Sequence, residues 1–243
     1  MSGIGRDFVR GTYYERLSRS DQMKGVRRPP LELPHQGAAE PIPLPPPESL
    51  SVTPVDLRTA VEKRRSVRRY APQPLAREEL AFLLWCTQGV RDVSGATFRT
   101  VPSAGARHAF ETFLLVNRVA GLHEGLYRYL ALSHELLAVP SDERSRERLS
   151  EACFNQDMVS ASAVTFVWAA VPYRMTWRYG ERGYRYLYLD AGHICQNLYL
   201  STAAVDCGVC AIAAFDDEKV DRLFGFDGKR VFTVYLATVG KLA

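Results

Sequence analysis

Residues 63–70 read "KRRSVRRY", and five of these eight side chains are cations: Lys63, Arg64, Arg65, Arg68 and Arg69. A serine, Ser66, sits in the middle and Tyr70 closes the stretch. Four readings compete: a nucleic-acid patch, a phosphorylation target in "RRSV", a solvated or salt-bridged face, and a pocket for one phosphate. A nucleic-acid patch calls for more charge than the net +4 left by 31 basic and 27 acidic residues, and for further basic runs. A phosphorylation target calls for an exposed flexible segment. Here "VDLRTAVEKRRS" (55–66), with apolar Val55, Leu57 and Val61, predicts a short helix running into the cluster. A solvated face has no need of arginine over lysine, whereas a planar guanidinium suits bidentate contacts to phosphate. A serine hydroxyl adds a short donor. On the residues alone, the phosphate pocket and the solvated or salt-bridged face both remain open.

Outward from the cluster, the N-terminal side is irregular. Residues 29–54 hold nine of the chain's fourteen prolines, which favours extended, partly polyproline II chain with no core of its own. We therefore expect an arm and linker over 1–54, wrapping a partner subunit or lining a cleft, and a compact domain over 55–243. On the C-terminal side, "REELAFLLWCTQG" (77–89) places Leu80, Leu83, Leu84 and Thr87 on one helical face, with Gly89 as a stop. Strands are expected at 111–119 and 162–171, the latter a continuous apolar run that reads as buried. Two shorter strands are expected within 125–139, turning near Ser133. A helix is expected over 141–153, with Ser141 as N-cap. Residues 183–208 predict a long helix with few charges and with Leu187, Ile194, Leu198 and Val205 at near-helical spacing; a helix apolar on most sides is central or lies at a subunit interface. A short strand (209–215), a helix with an acidic first turn ending at Gly225, and a final strand (231–240) complete an α+β fold. Its mainly antiparallel sheet packs among helices.

Composition excludes several classes. Hydrophobic and charged fractions of 47% and 24% are those of an ordinary globular chain. Five scattered cysteines argue against a disulfide framework and for a reducing compartment. The N-terminal sequence has no apolar signal core, and no apolar run approaches the ~18 residues of a membrane span. A cytoplasmic location is expected, with no membrane and no nucleic-acid partner. "CGVC" (207–210) follows the long helix rather than opening one, and no second ligand pair lies at zinc spacing, so buried apolar thiols are expected and no metal site. "GFDGKR" (225–230) lacks the spacing of a P-loop. No dinucleotide glycine fingerprint follows a strand, and there is no G-x-S-x-G. Asp190 and His193 in "DAGH" read as a buried hydrogen-bonded pair more readily than as an acid–base or metal pair.

Five motifs in order, "RRSVRRYAPQPLAREELAFLLWCTQG", "PSAGARHAFETFLLV", "GLYRYLALSHELLAV", "YGERGYRYLYLDAGHICQNLYLSTAAVDCGVCAIAAFDDEKVDRLFG" and the closing "VGK", resemble the nitroreductase superfamily over about 55–243. Several pieces are most similar to its azoline (thiazoline and oxazoline) dehydrogenase branch. The resemblance implies an intertwined α+β homodimer with two FMN sites at the subunit interface. It assigns Arg64, Ser66 and Arg68 to the flavin phosphate, ribityl chain and N1/O2 edge, with Arg65 as a neighbouring contact. Pro102, Ser103, Ala104 and Gly105 would reach the flavin from the other subunit. Gln156 would face the pyrimidine edge, Ala213 and Ala214 the N5 atom, and Gly240 and Lys241 the phosphate. Where nitro-reducing members often carry Glu-Gly, this chain has Ala213-Ala214. Where azoline dehydrogenases carry a Lys-Tyr pair, it has Arg178-Tyr179, and an arginine stays charged and is no general base. Tyr179 remains as acid or proton relay, beside the alternative of a surface or interface pair. The expected function is FMN-dependent hydride transfer that oxidises a heterocycle in a peptide-like or small substrate. Two alternatives stand: nitro or quinone reduction with NAD(P)H as external reductant, and a non-catalytic flavin- or partner-binding subunit.

Overall fold

A computed structural model describes residues 3–35 and 39–243; residues 1–2 and 36–38 of the expected arm lie outside the described residues. The arm carries helix α1 (Ile4–Gly11) and strand β1 (Ile42–Pro43). The body follows as α2 (Leu57–Lys63), α3 (Arg77–Gln88), β2 (Val90–Val93), β3 (Thr97–Arg99), β4 (Phe110–Val116), β5 (Gly125–Leu130) and β6 (Glu135–Ala138). Then come α4 (Ser145–Ala152), α5 (Asp157–Ala161), β7 (Val164–Ala170), α6 (Pro172–Tyr179), α7 (Gly183–Ser201), β8 (Cys207–Ile212), α8 (Asp217–Phe224) and β9 (Phe232–Lys241). The main sheet runs β1-β6-β5-β4-β7-β9-β8, and each of its ladders is antiparallel. The fold is α+β, as the segment pattern predicts.

Strands β4 and β7 are buried along their whole length, because helices cover both faces of the sheet. The two-residue period sends Phe110, Leu114 and Val116 of β4 to one face, with Leu80, Leu84, Met175 and Leu198. Phe113 and Leu115 go to the other, with Leu149, Val159 and Val220. The first face thus lies under α3, α6 and α7, and the second under α4, α5 and α8.

Several elements differ from expectation. Helix α4 starts at Ser145, and Ser141 is not its cap. The Asp142 carboxylate accepts the Arg144 N–H at 3.0 Å, and the Ser145 hydroxyl accepts the Asp142 N–H at 3.0 Å, so a local turn sets the entry. Helix α7 stops at Ser201; a 3₁₀ turn follows over Thr202–Val205. Asp206, in the left-handed region (φ 49°), then turns the chain into β8. Cys207 and Cys210 are buried free thiols in that strand, and burial pushes Cys207 up to about 12. Helix α2 leaves its expected apolar face outside: Leu57 and Val61 are 67% and 53% exposed, and Ala60 alone of that helix is buried. Helix α7 buries Leu187, Ile194 and Leu198 but exposes Tyr188, Leu189, Gly192, His193 and Gln196 along one stripe.

The proline-rich stretch does enter the core. Leu44 is buried in the main cluster, and Ile42 pairs with Leu136 of β6. The extended chain has carbonyls without partners of its own, and buried arginines supply the donors. Arg174 Nε donates to Pro30 O at 2.9 Å, and Arg128 Nη2 to Leu33 O at 2.6 Å. Both arginines are ion-paired to the buried carboxylate of Glu111. Trp177 Nε1 donates to Val26 O at 2.9 Å. The described arm therefore lies against its own protomer.

Candidate functional site

The basic segment does not continue α2. At Arg64 the backbone turns extended (φ −55°, ψ 123°), and the chain runs alongside β8 and β9. Val67 N–H donates to Val209 O at 2.8 Å and Ala71 N–H to Lys241 O at 3.0 Å, and Ser66 bridges Val209 in parallel. Two glycines, paired across the ladder as Gly208 and Gly240, make the crossing possible. A Cβ at Gly208 would lie 2.6 Å from Val67, and one at Gly240 2.7 Å from the Tyr70 ring. With Val67 against the sheet at Gly208, the extended period turns its neighbours Ser66 and Arg68 to the other side; Tyr70 returns to the sheet at Gly240, which breaks that alternation beyond Arg68. Ser66 Oγ lies 3.0 Å from the Tyr199 hydroxyl, which also accepts the Ala211 N–H at 2.9 Å. The Arg64 guanidinium sits 5.4 Å over the Tyr199 ring.

Among the described residues, none of Lys63, Arg64, Arg65, Arg68 and Arg69 has a carboxylate within ion-pair distance. That removes the salt-bridged reading of this face. Arg64 and Arg65 border a groove of about 840 Å³, shared with Thr59, Tyr199, Gly208 and Leu242. Lys241 stands apart: its ammonium is bonded to Glu79 and to Val205 O, so its charge is already met. Ala213 and Ala214 are exposed just beyond β8. Gln156 Nε2 donates to Cys153 O at 2.9 Å and to Ala214 O at 3.1 Å. Its amide hydrogens are engaged in holding the 213–214 loop instead of facing outward.

A second patch gathers the other predicted residues. Ala104 N–H donates to Asp190 Oδ1 at 3.2 Å, and Ser103 Oγ accepts the His108 N–H at 2.9 Å, fixing the loop after Pro102. Gly105 is left-handed (φ 58°), and a Cβ there would overlap the Tyr179 hydroxyl and reach Arg178 Nε at 3.0 Å. Arg178 and Tyr179 at the end of α6 thus converge on the 102–105 loop. Asp190 does not pair with an inward His193, which is exposed. Burial raises the Asp190 carboxyl against the pull of its Ser103 and Ala104 contacts. The Tyr179 ring meets Tyr186 edge-on at 4.8 Å. The Tyr186 hydroxyl accepts from Arg182 Nε at 2.8 Å and lies 2.9 Å from the Tyr14 hydroxyl of the arm.

Asp190 and Tyr199 mark the two patches on α7, nine residues apart, or about 14 Å along a helix. One protomer therefore does not bring the predicted residues into a single cluster. Sequence reading passed over Tyr199, which ties Ser66 to β8, and Tyr70 and Gly208, which seat the basic segment. Gly208 carried a signal: a glycine inside a strand marks a close backbone approach, and it was read only as a spacer in "CGVC". Tyr199 carried none, being one of several tyrosines on α7.

The sequence profile described as Nitroreductase family matches residues 61–241. A Methanocaldococcus jannaschii protein named as a nitroreductase is 35% identical over 169 residues, covering 70% of this chain and 84% of that protein. The trifolitoxin-processing protein TfxB of Rhizobium leguminosarum bv. trifolii is 33% identical over 107 residues, 42% of this chain but 29% of that protein. The fold is shared with a chain of the E. coli microcin synthetase McbBCD complex with truncated pro-MccB17 bound, at TM-score 0.63 and 20% identity, covering 99% of this chain and 92% of that one.

Proposed function

The chain belongs to the nitroreductase family, and on that premise we propose that it is an FMN-dependent, homodimeric oxidoreductase of the azoline dehydrogenase-like branch, oxidising a heterocycle in a peptide-like or small substrate. The observation that carries this reading is the set of cations in "KRRSVRRY" that have no ion-pair partner among the described residues, three of which, Lys63, Arg64 and Arg65, line a groove of about 840 Å³. That volume falls within the ~300–1,000 Å³ of ordinary ligand pockets, and the fixed positive charge a phosphate dianion calls for comes from Lys63, Arg64 and Arg65, on a groove that Asp56, Glu62 and Asp206 also line. FMN, when bound, supplies a two-electron acceptor that takes hydride at N5.

The chain's own residues bind and orient. Arg64 and Arg65 hold the phosphate. Ser66, fixed by Tyr199, donates to the ribityl chain, and Arg68 places positive charge at the N1/O2 edge, which favours two-electron over one-electron chemistry. Gly240 contributes by letting Tyr70 seat this segment. Ala213 and Ala214 present backbone without side-chain bulk, and Gln156 keeps them in place. Pro102 to Gly105, about 14 Å along α7 from Tyr199, serves the partner subunit's site. The stripe bearing Tyr188 and Leu189, 57% and 56% exposed, supports such a partner. Tyr179 handles the proton and Arg178 stays cationic. TfxB, by its name a toxin-processing protein, supports a peptide-like substrate.

A second reading, nitro or quinone reduction with NAD(P)H, is favoured by the 35% identity to a protein named as a nitroreductase. The experiment is the visible spectrum of the purified protein, with sedimentation. A dimer with a flavin band near ~450 nm is expected. In Arg64→Ala, FMN affinity should fall about tenfold or more, the effect of losing a charge-assisted hydrogen bond. A colourless protein that takes up no added FMN refutes the proposal. Rapid bleaching by a nicotinamide donor with quinone turnover shifts it to the second reading.

A further inference from the structure

The loop at Gly105 is surrounded by positive charge that no ion pair among the described residues balances. Arg107 is 8% exposed. Its Nε donates to Gly105 O at 2.8 Å, and its guanidinium lies 5.4 Å over the Trp177 ring. Burial pulls it down to about 10, and its charged neighbours Arg28 and Arg178 pull the same way. His108, 5% exposed, is pulled to about 3 by burial and by Arg99, Arg107 and Arg28. Arg28 comes from the arm, two residues after Val26, whose carbonyl is held by Trp177. Arg178 is exposed and Arg28 half-buried, so the cluster is open on their side.

The nearby acids do not pair with this charge. Glu111 is bonded to Arg128 and Arg174. Asp190 accepts the Ala104 N–H through Oδ1, its Oδ2 is buried without a hydrogen-bond partner among the described residues, and burial raises its carboxyl. Among the described residues, no carboxylate lies within ion-pair distance of Arg28, Arg107 or Arg178. A buried guanidinium without a counter-charge is costly to keep, and a merely solvated cation would not be folded under an arm and against an indole.

We propose that Arg28, Arg107 and Arg178, with the Tyr179 hydroxyl, form an oxyanion-recognition site at Gly105. Guanidinium forks match the planar edge of a carboxylate or two oxygens of a phosphate, and the hydroxyl supplies a further donor. The anion is a carboxylate of the substrate or a phosphate of the electron-donating co-substrate. An arginine in the Lys-Tyr position is then a selectivity element. The site refines the proposed function by requiring an anionic group beside the reacting centre, and in that sense it rests on that reading.

The test does not need flavin. Trp177 lies against Arg107 and reports on it, so the full-length protein is titrated with benzoate, neutral benzamide and inorganic phosphate while indole fluorescence is followed, with Trp177→Phe identifying the signal. A saturable response to benzoate or phosphate and none to benzamide is expected. Arg107→Gln and Arg28→Gln should each weaken it about tenfold, as loss of one charge-assisted contact does, with flavin content unchanged. If Arg107→Gln raises KM for NADPH but not NADH, the anion is the co-substrate's phosphate. If neither KM moves and benzoate competes with substrate, it is the substrate's carboxylate. No saturable response to either anion, or loss of FMN from Arg107→Gln, overturns the proposal. A saturable response in a colourless protein keeps the anion site and refutes the flavin reading instead.

Discussion

Gly240→Ala tests whether the basic segment is positioned by the sheet beneath it. Gly240 and Gly208 face each other across the β8–β9 ladder, and Tyr70 lies over the first as Val67 lies over the second. A methyl at 240 would sit 2.7, 2.8 and 2.9 Å from Cγ, Cδ1 and Cβ of Tyr70. Cβ is fixed to the backbone, so no side-chain rotation moves it away. The ring is also pinned at its far end, where the hydroxyl lies 2.7 Å from Thr238 Oγ1 and donates to Val67 O at 2.8 Å. Relief requires the 66–71 backbone to lift by several tenths of an ångström, and overpacking of this kind costs about 1–3 kcal/mol. Without the clash, alanine would gain about 0.5–1 kcal/mol over glycine in a strand, so the sign alone is informative. For a domain of this size the loss corresponds to a fall in Tm of roughly 2–12 °C. The assay is denaturant unfolding of Gly240→Ala, Tyr70→Ala and the double variant. In the Tyr70→Ala background the added methyl should cost nothing, giving a coupling of about 1–3 kcal/mol. Equal cost in both backgrounds, or no cost in either, would refute the contact as the reason for the glycine.

Glu111→Gln keeps the shape of a buried carboxylate that faces Arg128 and Arg174 but removes its charge. Leaving buried cations uncompensated costs about 3–5 kcal/mol. Since these arginines hold the Leu33 and Pro30 carbonyls, protease cleavage within the arm should speed up before the body unfolds, and a peptide map over time checks this. His108 gives a pH signature. Burial holds its folded value at about 3 against 6.5 for the free side chain, so below pH 6.5 the unfolded chain binds a proton that the fold does not. Stability therefore falls as pH drops, by up to about 1.4 kcal/mol per unit, or ~2 kcal/mol between pH 6.5 and 5. The raised carboxyl of Asp190 acts in the opposite sense, nearer the carboxylate range. Unfolding curves across this window should flatten in His108→Gln, and an unchanged slope would refute the assignment.

The sequence was informative wherever one period governed a whole segment. The apolar run at 162–171 and the spacing of Leu80, Leu83 and Leu84 lead directly to β7 and α3, because burial on both sides or on one stripe leaves a local signature. It was uninformative where a residue is decided by something far along the chain. The arm is rich in proline and has no periodicity, yet it is bound through arginines from β5 and α6. The helix running into "KRRSVRRY" stops at Lys63 because β8 captures the next residues as a strand-like partner. Local propensity holds no trace of that. Lys241 reads as a phosphate ligand by position, and only the fold reveals that Glu79 has claimed it.

The division of the predicted site has a consequence for assembly. Helix α7 is straight chain from Asp190 to Tyr199, and its rise fixes about 14 Å between the loop that carries Tyr179's neighbours and the segment that carries Arg64. No rotamer change closes that distance, and a rigid core on the sheet side prevents the helix from bending toward it. If both patches serve one reaction, the second must come from another copy. The surface available for that copy is the stripe of Tyr188, Leu189 and Gln196 together with Leu57 and Val61 of α2. All but Gln196 are large hydrophobic side chains that a lone protomer leaves in water, and large exposed apolar patches mark association surfaces. The same reasoning gives the arm a role: Tyr14 reaches Tyr186, whose neighbour at i,i+3 on the helix is Leu189, so the arm flanks the exposed stripe as well as the anion cluster. In the dimer proposed above, association and the placement of Arg28 are linked through one segment, and a change that loosens the arm should disturb both together.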